Sequence, residues 1–252
     1  MAFDHQLQRS RYELKYIIDE VTARSVRDFA RSYLQRDEHA IPAMGHAYPI
    51  YSIYLDSPGW TLYNATVQGM KNRYKLRIRY YNDNPKSPVF FELKRRVHDV
   101  ILKDRACVKR QSVSELLRGR CPNRDDLLNP SDLDSYSALR QFMDLAHDIN
   151  AAGRTIVYYQ REAWVTPTDD NVRLTFDRSL AGVRWDGRFI PPKEMWHRPR
   201  MPGVILELKF DNRFPLWMRE LVRTFDLYRV SFAKYITCTY WLPRAKAQLC
   251  HL

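Results

Sequence analysis

The sequence predicts an α+β fold: a closed antiparallel β-barrel of about eight strands with flanking helices, in one domain over 1–252. Three observations predict it. Seven segments alternate apolar and polar residues at period two, the mark of strands with two unlike faces. Three further segments repeat apolar residues at helical spacing. On strand after strand, the polar face carries long cations beside a single carboxylate.

The first strand is 11–18 (RYELKYII), with Arg11, Glu13 and Lys15 on one face and Tyr12, Leu14, Tyr16 and Ile18 on the other. A helical period follows over 20–34. Segment 74–81 splits Lys75, Arg77, Arg79 and Tyr81 from Tyr74, Leu76, Ile78 and Tyr80. Segment 89–96 splits Phe90, Glu92, Lys94 and Arg96 from Val89, Phe91 and Leu93. Strand 100–108 (VILKDRACV) comes next. Helix 132–149 carries Leu133, Tyr136, Leu139, Phe142, Met143 and Leu145 on one stripe and starts after Asn129-Pro130-Ser131. Strands 156–164 and 172–178 follow, the latter with Arg173, Thr175 and Asp177 opposite Leu174 and Phe176. The stretch 186–203, with Pro191, Pro192 and Pro199, reads as a loop. Strand 204–210 sets Ile205, Glu207 and Lys209 against Val204, Leu206, Leu208 and Phe210, and a last helix covers roughly 215–224. Strand order is left open.

An open sheet with one wet face would scatter its charges, and cross-strand ion pairs there contribute only ~0.2–1 kcal/mol each. Five strands repeating one pattern favour closure, because a barrel alternates inward and outward positions on every strand. The charged faces then line a channel and the apolar faces pack under helices. Such a channel suits a linear polyanion, with a divalent metal on its few carboxylates.

Composition narrows the chemistry. Lys+Arg exceed Asp+Glu by 41 − 29 = 12, which attracts anionic partners. Hydrophobic content of 45% is enough for a packed core and excludes wholesale disorder. The 8 glycines are so dispersed that no G-x-G or P-loop pattern can be written, so phosphate must be held by side chains. Cys107, Cys121, Cys238 and Cys250 form no C-x-x-C and the histidines no H-x-x-x-H, which argues against zinc. The start lacks an apolar leader and no 18-residue apolar run follows, so a cytoplasmic protein without a membrane segment is expected.

Taken in order, E-L-K-Y (13–16), Y-S-I-Y-L-D (51–56), K-L-R-I-R-Y-Y (75–81), F-E-L-K (91–94), L-K-D-R (102–105), Y-Q-R-E-A-W (159–164), V-R-L-T-F-D (172–177), I-L-E-L-K-F (205–210) and S-F-A-K-Y (231–235) resemble a known family. It is the VTC (vacuolar transporter chaperone) domain, the polyphosphate-polymerase branch of the triphosphate tunnel metalloenzymes. The resemblance runs from about residue 8 to 242. It implies an eight-stranded tunnel that transfers the γ-phosphate of ATP onto a growing polyphosphate chain, with Mn²⁺ or Mg²⁺. It implies phosphate-binding roles for Lys15, Arg77, Arg79, Lys94, Lys103, Arg161, Arg173 and Lys234, and a metal-binding role for Glu207. Lys75, Arg105 and Lys209 are added as substrate-binding candidates on shared faces, and Glu92, Glu13 and Asp177 as further metal ligands or lysine-orienting groups. The family places a second basic residue just ahead of its last lysine; the nearby candidate here is Arg229. The phosphate-sensing and membrane regions around the catalytic part of the family's best-known member have no counterpart in these residues.

Two rival activities are weighed. Hydrolytic relatives that cleave inorganic triphosphate or RNA 5′-triphosphates open with E-x-E-x-K. Here Arg11 holds the first acidic position, which favours grip on a polyanion over activation of water. A non-catalytic binder of polyphosphate or nucleic acid is the other; nucleic acid is disfavoured, because cations paired with acids on many strands are not its usual motif.

Overall fold

The computed structural model describes residues 11–98, 100–167, 171–201 and 203–243. Along these residues run β1 (Arg11–Ile18), α1 (Glu20–Ala30), β2 (Gln35–Arg36), β3 (Ala47–Asp56), α2 (Thr61–Val67), β4 (Asn72–Tyr80), β5 (Val89–Val97), β6 (Val100–Val108), α3 (Val113–Leu117), α4 (Leu133–Asp148), β7 (Ala152–Val165), β8 (Val172–Arg184), β9 (Val204–Asp211), α5 (Leu216–Thr224) and α6 (Lys234–Tyr240).

All seven expected strands are present. β7 and β8 extend to 14 and 13 residues, past the segments whose alternation announced them. β3 was not among the expected strands, because it is nearly apolar on both faces and its last five residues are all buried. The first helix stops at Ala30, short of the expected 34, and Leu34 is buried beyond its end. Its start is set by Asp19, whose carboxylate accepts the Thr22 N–H at 2.7 Å. Asp132 caps α4 in the same way, accepting from Ser135 at 2.9 Å. Among its described residues the 186–203 loop has one 3₁₀ turn, Lys193–Met195, and one isolated bridge, His197 with Gly182. α2 and α6, seven residues each, are too short to show a period.

The sheet runs β2-β7-β3-β4-β5-β6-β1-β9-β8, and β7 also pairs with β8. The pairing therefore returns on itself through eight antiparallel strands, with β2 as a short outrigger on β7. Closure is uneven. A single register pair, Arg11 with Ile101, joins β1 to β6, whereas eight pairs join β1 to β9.

Outward faces are apolar, as alternation requires. α4 lays Leu139, Phe142 and Ala146 on Leu76, Ile78, Phe91, Leu93 and Ala106. α1 and α5 cover Tyr16, Leu174, Phe176, Leu206 and Leu208 with Ala23, Val26, Met218 and Leu221. Full burial of each large side chain contributes about 1.5–3 kcal/mol, so these two layers hold the ring.

A third cluster lies inside the ring. Tyr235 and Cys238 of α6 pack on Tyr54, Val157, Tyr159, Leu180 and Ile205. Two features of β8 admit this helix. Ser179 takes a positive φ of 54°, an irregularity that offsets the face alternation, so that Leu180 joins the interior cluster while Asp177, three residues earlier, holds interior cations. Gly182 leaves room, since a Cβ there would stand 2.6 Å from that of Cys238. Cys107, Cys121 and Cys238 are free thiols; Cys250 and the first ten residues, where no leader is expected, lie outside the described residues. No helix among the described residues is long and apolar enough to cross a membrane.

Candidate polyanion site

Inside the ring is a cavity of about 1710 Å³. Every cation singled out from the sequence lines it: Lys15, Lys75, Arg77, Arg79, Lys94, Lys103, Arg105, Arg161, Arg173, Lys209 and Lys234, with Glu13 and Glu207 among them. Glu92 and Asp177 are wholly buried and hold these cations. Arg229, the candidate for the family's second basic residue, also lines the cavity and is exposed, and Ala233 holds the N-cap position just ahead of Lys234 without a side-chain cap.

The carboxylates organise the cations into three groups. Glu92 accepts Arg77 Nε at 2.6 Å and stands 2.8 Å from Lys103 Nζ, with Arg105 and Arg79 at 3.6 and 3.7 Å. Burial raises the Glu92 pKa, but Arg77, Arg79 and Lys103 outweigh it and hold the group well below the usual carboxylate range. Asp177 takes a two-pronged grip from Arg161, 2.7 Å on both oxygens. Lys234 Nζ joins Asp177 at 2.7 Å to Glu207 at 2.6 Å, and Glu207 also meets Lys209 at 2.7 Å and Arg161 at 3.1 Å. Burial opposes charge on Lys234, and the two carboxylates more than reverse it, so its pKa rises. Glu13 holds Lys94 at 2.8 Å and Lys15 at 3.1 Å. Cross-strand register makes these groups meet: Lys15 is opposite Glu207, Glu13 opposite Lys209, and Arg77, Glu92 and Arg105 form one row.

The next row is different. Lys75 is opposite Lys94, which is opposite Lys103. Like charges directly opposite are destabilising in a sheet. Among the described residues no carboxylate pairs with Lys75, and burial together with Lys15 and Lys94 lowers its pKa well below the ordinary lysine value. Burial brings Lys103 down to about 8 despite Glu92, and Lys209 to about 7 despite Glu207. The buried Arg79 has no hydrogen-bond acceptor for its Nε. Cations so crowded, with donors left over, have the charge and hydrogen-bonding capacity that a multiply charged anion would satisfy.

A pH dependence follows. Lys103 is lowered in the fold, so the cost of burying its charge is present below about 8 and relieved as pH rises toward 10.5. Stability from this group thus rises with pH while grip on an anion falls. Tripolyphosphate affinity should drop as pH rises through about 7 and about 8, where Lys209 and Lys103 lose charge, and Lys103→Arg, which stays charged, should remove the later part of the drop in a titration across that range.

Four contributors were not singled out from the sequence. Asp37 pairs with Arg173, whose other contact is the Tyr48 hydroxyl at 3.1 Å. Tyr54 accepts from Arg77 at 3.3 Å, and Tyr159 lies under Arg161 and Lys234, 5.2 and 4.8 Å from its ring centre. Y-S-I-Y-L-D held the signal for Tyr54. Asp37 sits in a turn with no pattern to mark it.

The donors are oxygens, without histidine or thiolate, which suits Mg²⁺ or Mn²⁺. Among the described residues no three acidic, histidine or cysteine groups converge, so a cage built by the protein alone does not fit. Magnesium, however, is commonly held by one or two carboxylates plus substrate phosphates, and Glu207 beside Asp177 fits that mode.

Comparison with known proteins places this architecture. The VTC domain model matches residues 10–242. Vacuolar transporter chaperone complex subunit 2 of Schizosaccharomyces pombe is 26% identical over 216 residues, covering 73% of this chain and 29% of that protein. Subunit 4 of the same organism is 25% identical over 226 residues, covering 74% and 31%. The chain thus spans less than a third of either relative. Two solved structures overlie it more loosely. A putative adenylyl cyclase from Hippeastrum, described as having a dominant triphosphatase activity, gives a TM-score of 0.47 at 13% identity over 91% of this chain and 94% of its own. A protein from Pyrococcus horikoshii OT3 gives 0.45 at 12% over 90% and 96%.

Proposed function

The chain belongs to the VTC domain family, and on that footing we propose that it is a polyphosphate polymerase, moving the γ-phosphate of ATP onto a polyphosphate chain inside the ring. The observation that carries this reading is the row Lys75–Lys94–Lys103. Lys94 and Lys103 each keep one carboxylate and Lys75 has none among the described residues, so the row carries more positive charge than its carboxylates balance, and a linear polyphosphate running along it supplies the rest.

Phosphoryl transfer asks little covalent chemistry of a protein; positioning and electrostatic stabilisation do most of it. Arg77, Arg79, Arg161 and Arg173 offer planar forks for non-bridging oxygens, which a lysine cannot match. Lys15, Lys75, Lys94, Lys103, Arg105, Lys209 and Lys234 supply charge along the path. Glu92 and Asp177 hold the cations apart and aimed inward, so the socket is formed before substrate arrives. Glu207 would hold a divalent metal, which when bound neutralises charge building on the transferred group. Glu13, Glu92 and Asp177 orient cations, and the metal is assigned to Glu207 by the family resemblance, although Glu207 too is paired, with Lys234, Lys209 and Arg161.

Incubating the purified chain with ATP and Mn²⁺ and separating the products on a polyphosphate-stained gel tests the reading. A ladder of chains supports synthesis. Free phosphate without a ladder selects the triphosphatase alternative, and intact ATP the binder. Binding should also be salt-dependent, because neutralising phosphates with lysine and arginine releases counterions. Tripolyphosphate affinity should fall steeply from low to physiological salt in a calorimetric titration, and a flat response would mean that the anion does not engage the cavity's lysines and arginines.

A further inference from the structure

One wholly buried carboxylate stands apart from the cation groups of the cavity. Asp56 ends β3, and among the described residues no cation pairs with its side chain. Four donors surround it instead: the N–H groups of Ser57 at 2.8 Å, Leu62 at 2.9 Å and Tyr63 at 2.8 Å, and the Tyr235 hydroxyl at 2.8 Å. All four donate, so both oxygens accept, which is the work of an ionised carboxylate. Burial pushes the Asp56 pKa up, and these hydrogen bonds oppose the rise.

Leu62 and Tyr63 lie in the first turn of α2, where N–H groups lack partners inside the helix. Trp60, at the N-cap, makes no side-chain cap bond, so Asp56 caps α2 from the end of β3. Its fourth bond reaches a different helix. Tyr235 follows Lys234 directly in α6, whose N-cap, Ala233, has no side-chain cap either. The Tyr235 ring stacks on Tyr54 with centroids 4.6 Å apart and planes 10° apart, and Tyr54 accepts from Arg77 at 3.3 Å. Tyr235 thus backs two cation groups, Lys234 between Asp177 and Glu207 and Arg77 on Glu92.

We propose that Asp56 and Tyr235 are positioning residues for the polyanion site: their bond fixes the start of α6 and with it the place of Lys234 in the cavity. This rests on the anion-binding part of the reading above and not on the transfer step. A lysine is a point charge on a flexible stem, so its place depends on where the helix holds its Cα. Any shift of that first turn would leave a buried carboxylate short of a donor, which is costly. The far end of α6 has its own buried tether, Thr239 to Thr155 at 2.9 Å, more than a turn beyond Lys234.

The test measures tripolyphosphate affinity and melting temperature side by side, at fixed salt and without added metal. Tyr235→Phe keeps the stacked ring and removes only the hydroxyl. It should weaken tripolyphosphate about ten-fold, the lower end for losing a group that orients a binding residue. Thr239→Val, which removes the distal bond of the same helix, should lower the melting temperature and leave the affinity unchanged. A Tyr235→Phe protein that melts earlier yet binds like the native chain overturns the positioning role. So do equal losses of affinity in the two variants, or a native chain that does not bind tripolyphosphate. Should Tyr235→Phe fail to fold, amide exchange of the native chain decides. By linkage, tripolyphosphate should slow exchange at Leu62 and Tyr63, the two α2 amides on Asp56, and unchanged exchange there overturns the role. A native chain that shows these effects yet makes no polymer keeps the positioning role and loses the transfer reading.

Discussion

Replacing Arg161 with methionine is expected to destabilise the protein by about 3–5 kcal/mol, the usual consequence of removing one member of a buried ion group. Arg161 binds both oxygens of Asp177 at 2.7 Å and reaches Glu207 at 3.1 Å. Asp177 is fully buried, so the variant leaves it with Lys234 alone. Burial would then drive the Asp177 pKa upward from its present lowered state. The native group contributes stability above the unfolded aspartate value that is lost as pH falls through the lowered folded one. Urea unfolding at neutral and acidic pH measures both effects. A loss below about 1 kcal/mol, the range of exposed pairs, would mean that the interior is wet and the carboxylates are solvated.

Glu207→Gln has the larger consequence for turnover. It keeps the side chain's volume and removes a charge shared by Lys234, Lys209, Arg161 and Lys15. If Glu207 holds the metal as proposed, its loss is expected to raise the barrier by several kcal/mol, about 10²–10⁴ in rate, and to shift the Mn²⁺ requirement far upward. The variant should still bind tripolyphosphate, since the cations gain freedom. If Glu207 serves only as a counter-charge, the melting temperature falls and the Mn²⁺ dependence stays where it was. Activity against Mn²⁺ concentration, recorded beside a melting curve, separates the two.

Much of this site was legible because a strand writes its two faces in alternate letters. Lys75, Arg77 and Arg79, or Glu207 and Lys209, had to share a side, and closure alone decided that the side was inward. The ring hid its weak places. β3 is buried on both faces over its second half and gives no alternation, although its Tyr48 and Tyr54 touch the arginines. The interior position of α6 depends on Gly182 and on the irregularity at Ser179, neither of which reads as anything but an ordinary residue in sequence. Asp37 reaches Arg173 from a turn, where no periodicity exists. The pairing of each carboxylate was also beyond the sequence, since register fixes which cation faces Glu92 or Glu207.

The proposed transfer of the terminal phosphate is tested most directly by following ATP labelled at its γ-phosphorus with purified protein and Mn²⁺. Label is expected to enter acid-insoluble chains as ADP forms one for one, and Arg79→Lys, which keeps charge but loses the fork, to slow the entry. Label recovered as orthophosphate, with none in chains, would contradict it.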